Sequence, residues 1–339
     1  MKYNLLGNTG LKVSSLCLGT MTFGGKGYFK VIGSQGQDIA DELVKRSVDA
    51  GINFIDTANV YSEGWSEEIT GQAIQNLGLS RYDLILATKV RGTMGSGPNE
   101  KGLTRKHIMD QAEASLKRLK TDYIDLYQMH SYDPLTPLEE TLRAFDDLVR
   151  SGKVRYIGAS NVTAWQLMKA LAYSEYKGLE KFVSLQAYYT IAGRDVEREI
   201  LPLLRDQKVG LLVWSPLAGG FLSGKYKRNA TGEEGRRNEK FDFPPLNKDR
   251  AYDIMDVLHP MANEKNATLA QLALAWLLHQ QSVTSVIIGA NKIEQLNDNL
   301  KATGIILTAD ELEKLDAISK LPAEYPGWML ERTGSDRLT

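Results

Sequence analysis

The stretch Asn53-Phe54-Ile55-Asp56-Thr57-Ala58-Asn59-Val60-Tyr61-Ser62 decides how the chain is read. It begins as an apolar strand through Ile52, Phe54 and Ile55. It delivers an acid, Asp56, where the strand gives way to a loop, and a phenol, Tyr61, follows within that loop. The segment from Ser66 to Ile74 then reads as a helix, with Glu67 and Glu68 in its first turn where the macrodipole favours negative charge. A strand-loop-helix unit with polar residues at the strand's C-terminal end is where α/β proteins place their chemistry. The rest of the chain must therefore supply partners for Asp56 and Tyr61.

Outward from this unit the same rhythm repeats. Short apolar runs at Ser14–Thr20, Leu84–Lys89, Tyr123–His130, Val154–Ser160, Phe182–Gln186, Gly210–Ser215 and Val283–Gly289 bring the number of strands to eight. Helical patterns separate them. From about Asp38 to Ala50 the stripe Ala40, Leu43, Val44, Ser47 and Val48 marks a packed amphipathic helix. Thr104 opens another helix, and Thr136-Pro137-Leu138-Glu139 reads as a capping box with proline at the first helical position. Further helices are expected around Ile293 to Leu300 and after Thr308, and residues 3–14 read as a hairpin around Gly7-Asn8-Thr9-Gly10.

Eight nearly continuous apolar strands alternating with helices describe a parallel sheet buried on both faces. Closed on itself, this is a (β/α)8 TIM barrel of the α/β class, here with an N-terminal β-hairpin plug and extra C-terminal helices. A doubly wound open sheet normally carries Gly-x-Gly-x-x-Gly after its first strand. Gly19-Thr20-Met21-Thr22-Phe23-Gly24 has glycine only at the first and last of those positions. Residues 1–339 are expected to form one barrel domain, with 217–247, long, glycine-rich and charged, as a mobile loop within it.

Bulk composition excludes several classes. The 41 basic and 42 acidic residues balance to a net charge of -1, which leaves no electrostatic footprint for nucleic acid. No apolar run approaches the roughly 18 residues of a membrane span, and the N-terminus lacks a signal-peptide core, so a cytoplasmic protein with no membrane partner is expected. The single cysteine, Cys17, excludes an internal disulfide and lies in an apolar run as a small buried side chain. No metal site is expected.

In a barrel the C-terminal ends of all strands face one mouth. Read in order, those ends carry Gly19-Thr20, Asp56 with Tyr61 just beyond, Lys89, His130, Ser160-Asn161, Gln186, Trp214-Ser215 and Gly289. Singly, Lys89 reads as a snorkelling rim charge, Asp56 as a helix cap and Tyr61 as a surface aromatic. Jointly they bring an acid, a phenol, an ammonium and an imidazole into one pocket. A lysine ammonium about 4 Å from a phenol of pKa ~10, at an effective dielectric of ~20, favours phenolate by up to ~4 kcal/mol, or roughly three pKa units. This arithmetic brings Tyr61 towards neutrality, with Asp56 keeping Lys89 charged and His130 hydrogen-bonding the oxygen on which charge develops. Such machinery suits protonation of a carbonyl oxygen while something else attacks the carbon.

Asp56-Thr57-Ala58-x-x-Tyr61, Ala87-Thr88-Lys89, Leu126-Tyr127-x-x-His130, Gly158-x-Ser160-Asn161 and Ser215-Pro216-Leu217 stand in an order that resembles the aldo-keto reductase superfamily, over Asn4 to about Ser319. The resemblance implies an NAD(P)H-dependent oxidoreductase that reduces an aldehyde or ketone, with Tyr61 as general acid, Asp56 and Lys89 tuning it and His130 orienting the carbonyl. It also places a cofactor held without a Rossmann domain. Ser160, Asn161 and Gln186 bond the nicotinamide carboxamide and Trp214 stacks on its ring, at a position often tyrosine in the family. Gly19 and Thr20 at the first strand's end join this cofactor set. Ser215, Leu217, Gly219 and Lys225 cover the pyrophosphate. Gly289, Asn291, Lys292, Gln295 and Asn299 hold the adenosine phosphate, with Lys292 favouring NADPH over NADH.

Tyr28, Phe29, Trp65 and Tyr132, with Tyr189 and Trp328, are candidate walls of a substrate pocket for a small carbonyl compound. Three rival readings remain open, one of them a purely structural barrel. The chain is a cofactor-binding, redox-sensing subunit like the family's channel-associated members, or Lys89 is a Schiff-base nucleophile of an aldolase-like barrel.

Overall fold

The computed structural model describes residues 1–226, 228 and 243–334. The chain opens with an antiparallel hairpin, β1 (Tyr3–Leu5) and β2 (Lys12–Ser14), with Tyr3 opposite Ser14. Eight strands follow: β3 (Leu16–Gly19), β4 (Phe54–Asp56), β5 (Ile85–Val90), β6 (Ile124–Met129), β7 (Val154–Ser160), β8 (Phe182–Tyr188), β9 (Gly210–Trp214) and β10 (Val283–Ile288). Each lies parallel to the next, and β10 closes onto β3 with Val286 beside Leu16 and Ile288 beside Leu18. Helices α1 (Gln37–Asp49), α2 (Trp65–Asn76), α3 (Arg105–Leu119), α4 (Leu138–Arg150), α5 (Ala164–Lys177) and α6 (Ile200–Gln207) lie between successive strands, and α7 (Lys248–Glu264) and α8 (Leu269–Leu278) between β9 and β10. After β10 come α9 (Ile293–Leu300), α10 (Ala309–Ser319) and α11 (Gly327–Gly334). This is the (β/α)8 barrel expected from the strand rhythm, with its hairpin and C-terminal helices.

Side chains on one face of a strand recur every second residue, and those facing the barrel interior divide into an apolar floor and a polar top. The lower layer is apolar: Cys17, Phe54, Ile85, Ala87, Leu126, Leu212 and Ile287, sealed from beneath by Leu6 and Val13 of the hairpin. Fully burying such a side chain contributes about 1.5–3 kcal/mol. Two residues further along the same strands the interior turns polar, with Asp56 after Phe54, Lys89 after Ala87 and Gln128 after Leu126. The plug thus closes one end and leaves chemistry to the other. Cys17 belongs to the apolar floor, and burial pushes its thiol well above the ordinary range.

One local expectation changes. Thr136 does not cap α4: its hydroxyl donates to Asp133 Oδ2 (2.7 Å), and Pro137 is itself the cap residue, its carbonyl accepting from Glu140 and Thr141 N–H. Glu67 stands in the first turn of α2, as expected, and is enclosed there by the protein. It is fully buried, accepting from Arg118 Nε (2.6 Å) and Thr88 Oγ1 (2.5 Å), because the first turns of α2 press against β5 and α3. Gly71 permits that approach; a Cβ there would meet the Leu119 backbone at 2.6 Å. Of the segment 217–247, Ala218–Ser223 forms a 3-10 turn, while residues 227 and 229–242, and with them the expected mobility, lie outside the described residues.

Candidate active site

Asp56 ends β4 level with Gly19 of β3 and Ala87 of β5. Beyond it the backbone stays tied to the rim: Thr20 N–H donates to Asp56 O, Thr57 N–H to Ala87 O and Asn59 N–H to Lys89 O. The chain then makes a 3-10 turn, Tyr61–Gly64, in which Ser62 (φ 51°) and Glu63 (φ 58°) are left-handed. For non-glycine residues this costs roughly 1–2 kcal/mol each. Ser62 offsets the cost locally, its hydroxyl donating to Phe23 O and accepting from Gly25 N–H, both at 2.9 Å. The turn sends the Tyr61 ring back into the mouth. No propensity rule points to left-handed Ser-Glu, so Ser62 escapes a sequence reading.

Lys89 is completely buried and commits all three of its N–H groups: to Asp56 Oδ1 (2.5 Å), Thr57 O (2.8 Å) and Tyr61 Oη (3.2 Å). Burial opposes its charge, but Asp56 and Tyr61 outweigh burial and hold the ammonium above the ordinary lysine range. A Schiff-base nucleophile needs a neutral amine, so this environment argues against the aldolase reading. The other oxygen of Asp56 accepts from Gln128 Nε2 (2.9 Å) and Gln186 Nε2 (3.1 Å), and Gln186 Nε2 also donates to Gln128 Oε1 (3.1 Å). Gln128 was missed from sequence. The available signal was an amide two residues before His130, on the inward phase of an otherwise apolar strand.

The direction of the Tyr61 shift overturns the two-body arithmetic. Burial raises its pKa, Lys89 lowers it and Asp56 raises it, and the net is upward. Burial is the largest cause, and the Asp56 carboxylate adds to it against the pull of Lys89. Tyr61 therefore rests as a neutral phenol. His130 follows β6, its ring edge-on to Tyr61 with centroids 5.7 Å apart. Burial, Lys89 and Arg91 depress its pKa to about 3, so the imidazole is neutral across the physiological range and offers one N–H donor.

The expected cofactor residues fall into two groups. Gly19, Thr20, Ser160 and Gln186 are buried and already bonded within the protein: Thr20 Oγ1 to Ser66 Oγ (2.9 Å), and Ser160 Oγ donating to Gln186 O (2.9 Å). Asn161, left-handed at φ 50°, donates to His130 O and accepts from Trp214 Nε1 (3.1 Å). The half-buried Trp214 ring packs between Tyr188 (5.2 Å) and Phe243 (5.7 Å, nearly parallel). Ser215 Oγ accepts from Gly219 N–H (3.0 Å), shaping the turn after Leu217. The second group is open. Lys225 and Lys292 are exposed cations without hydrogen-bond or ion-pair partners among the described residues, on the segments that follow the paired strands β9 and β10. Lys292 caps α9, Asn291 N–H is held by Gln295 Oε1 (2.8 Å), Gly289 is exposed and Asn299 is buried. Two free ammonium groups and a helix N-terminus beside a polar mouth fit a phosphate-bearing dinucleotide.

Of the candidate substrate walls, Phe29 lies against Tyr61 (5.3 Å) and carries Tyr28 on its own edge (5.7 Å). Trp65 faces elsewhere: it lies under Lys26 Nζ (3.9 Å) and lines a groove with Gln37, Gln72 and Lys117. Tyr132 is half-buried against the outer core. Tyr189 is fully buried, bonded to Glu197 (2.6 Å) and packed on Trp276, so it is core rather than wall. Trp328 sits exposed on α11 against Tyr325.

The aldo/keto reductase family model matches residues 15–320. A probable voltage-gated potassium channel subunit beta of Arabidopsis thaliana is 38% identical, the match covering 96% of this chain and 99% of that protein. An uncharacterized oxidoreductase, YrpG, of Bacillus subtilis is 40% identical over 94% of this chain and 96% of its own. Versiconal hemiacetal acetate reductase of Aspergillus parasiticus is 33% identical over 96% and 99%.

Proposed function

This chain belongs to the aldo/keto reductase family and is an oxidoreductase of that type, and on that premise we propose that it reduces an aldehyde or ketone to the alcohol, reversibly, with NADPH preferred over NADH. A nicotinamide cofactor at the mouth supplies the hydride for the carbonyl carbon. Tyr61 gives its hydroxyl proton to the carbonyl oxygen as that oxygen gains charge, becoming a phenolate. Lys89, 3.2 Å away, then donates to the phenolate oxygen, while Asp56 with Gln128 and Gln186 holds the ammonium in place. Neutral His130 donates an N–H to the same carbonyl oxygen and loses no proton. Lys292 at the start of α9 neutralises the 2'-phosphate.

The reading rests on one feature. The Tyr61 hydroxyl accepts a hydrogen bond from Lys89, and its own hydrogen has no acceptor among the described residues, so that proton is free to leave. Fluorescence titration with NADPH and NADH, followed by decay of nicotinamide absorbance with a panel of carbonyl compounds, tests it. Tyr61→Phe should keep cofactor affinity and lower turnover by ~10²-fold or more; unaltered turnover would remove Tyr61 from the role. A second reading is favoured by the relatives named as channel β-subunits: a cofactor-binding regulatory subunit with weak reductase activity. Tight NADPH binding with negligible turnover across the panel would select it.

A further inference from the structure

Arg91 lies immediately after β5, two residues beyond Lys89. The pairing of Val90 with Met129 sets it beside His130 across adjacent strands, about 4.8 Å apart in backbone spacing. His130 N–H donates to Val90 O, and Gly102 N–H donates to Arg91 O (2.9 Å), so the segment is pinned on both sides. Gly92 packs directly on Val60, the neighbour of Tyr61; a Cβ there would meet the Val60 side chain at 2.5 Å. Arg91 adopts φ 149°, a conformation that costs a non-glycine residue roughly 1–3 kcal/mol and persists where surrounding structure imposes it. These contacts hold Arg91 at the corner where the Lys89 strand, His130 and the Tyr61 loop meet.

The side chain is exposed and makes no hydrogen bond or ion pair among the described residues. Asp133 feels the guanidinium's charge, which helps lower its pKa, but its hydrogen bonds go to other groups. Asp133 accepts from Leu103 N–H, Leu135 N–H and Thr136 Oγ1, and Glu100 accepts from Gly97 N–H. The guanidinium's positive charge acts on the His130 ring, its neighbour across the paired strands β5 and β6. Phe29 and Tyr28 supply an apolar wall beside Tyr61. At a mouth where Lys89 is already committed to Asp56, an exposed guanidinium with no ion-pair partner among the described residues is a receptor for a planar oxyanion, which it binds through two parallel N–H donors.

We propose that Arg91 is a specificity-determining residue that selects carbonyl substrates bearing a carboxylate, the carboxylate pairing with Arg91 while the carbonyl oxygen meets Tyr61 and His130. This rests on the reductase reading for its chemistry but not for the oxyanion site itself.

Two acids of different reach, 4-carboxybenzaldehyde and succinic semialdehyde, are compared with their methyl esters on the full chain with NADPH. The wild type should prefer at least one acid in kcat/KM. Arg91→Met should lower the acid-to-ester ratio at least tenfold through KM, and Arg91→Lys should recover part of it. Equal losses on acid and ester, or an unchanged ratio, would overturn the proposal, since a purely structural role moves both alike. Calorimetric titration of the NADP+-loaded protein with terephthalate separates the two readings. Binding that Arg91→Met abolishes, without turnover of any aldehyde, keeps the oxyanion site and sinks the reductase reading. Equal binding to both proteins, or binding to neither, sinks the assignment of Arg91.

Discussion

Replacing Lys89 by methionine isolates what the buried ion pair contributes. The ammonium is fully buried and Asp56 nearly so, at 2.5 Å. Removing one partner of a buried pair leaves an uncompensated charge and costs about 3–5 kcal/mol. Two further acceptors, Thr57 O and Tyr61 Oη, lose their donor as well. A chain of 339 residues, at ~2.1 cal/mol/K per residue, has an unfolding entropy of about 0.7 kcal/mol/K, so Lys89→Met should melt about 4–7 °C below wild type. Turnover should fall ~10²–10³-fold, because the donor to the developing phenolate is gone. The double variant Asp56→Asn/Lys89→Met removes the orphaned charge while leaving an amide oxygen for Gln128 and Gln186. It should regain most of the melting temperature and none of the turnover. Calorimetric melting and initial rates on the three proteins decide it. Lys89→Met melting within ~1 °C of wild type, or a double variant no more stable than the single, would refute a dry, mutually dependent pair.

The remaining expectations concern titration and cofactor choice. His130, about 3 in the folded protein against ~6.5 unfolded, stays neutral on folding, so the unfolded chain binds the extra proton between those values. Stability should therefore fall as pH drops through that window, by up to ~1.4 kcal/mol per unit. Urea unfolding should show His130→Asn lacking that slope; identical slopes would mean the ring titrates normally. Because the Tyr61 pKa is raised, kcat/KM for reduction should stay level through neutrality and decline only above pH ~10. An inflection near neutrality that Tyr61→Phe removes would restore the two-body picture. Lys292→Ala should weaken NADPH ten- to hundredfold more than NADH in fluorescence titrations, the ~1.5–3 kcal/mol of one charge-assisted contact; equal weakening would detach Lys292 from the 2'-phosphate.

Much of the molecule is legible in the chain because a barrel repeats one local rule. Strand parity and apolar runs locate β3 to β10, and parity also says that Asp56, Lys89 and Gln128 rise from the same interior as Phe54, Ala87 and Leu126. What parity cannot show is tertiary. Glu67 looks like any acid at a helix start until α3 brings Arg118 to it and β5 brings Thr88. Thr136 looks like a cap until Asp133 claims its hydroxyl. The left-handed Ser62 is held through its side chain by Phe23 and Gly25, on a different loop.

The pKa of Tyr61 was misjudged for a related reason, and the correction changes how the tetrad works. Counting only the phenol and the ammonium omits burial and omits Asp56, which takes the shorter bond to Lys89 and adds a negative field of its own. A phenol brought to neutrality would spend half its time unable to donate. A phenol held above its ordinary range is always loaded, and the Lys89 hydrogen bond gains strength only as the oxygen becomes anionic. That contact then favours the transition state over the resting enzyme, which is the form of binding that raises kcat. Asp56 serves the same end by keeping the ammonium charged in a site where burial alone would discharge it. On this account the tetrad stores a proton at rest and stabilises its departure.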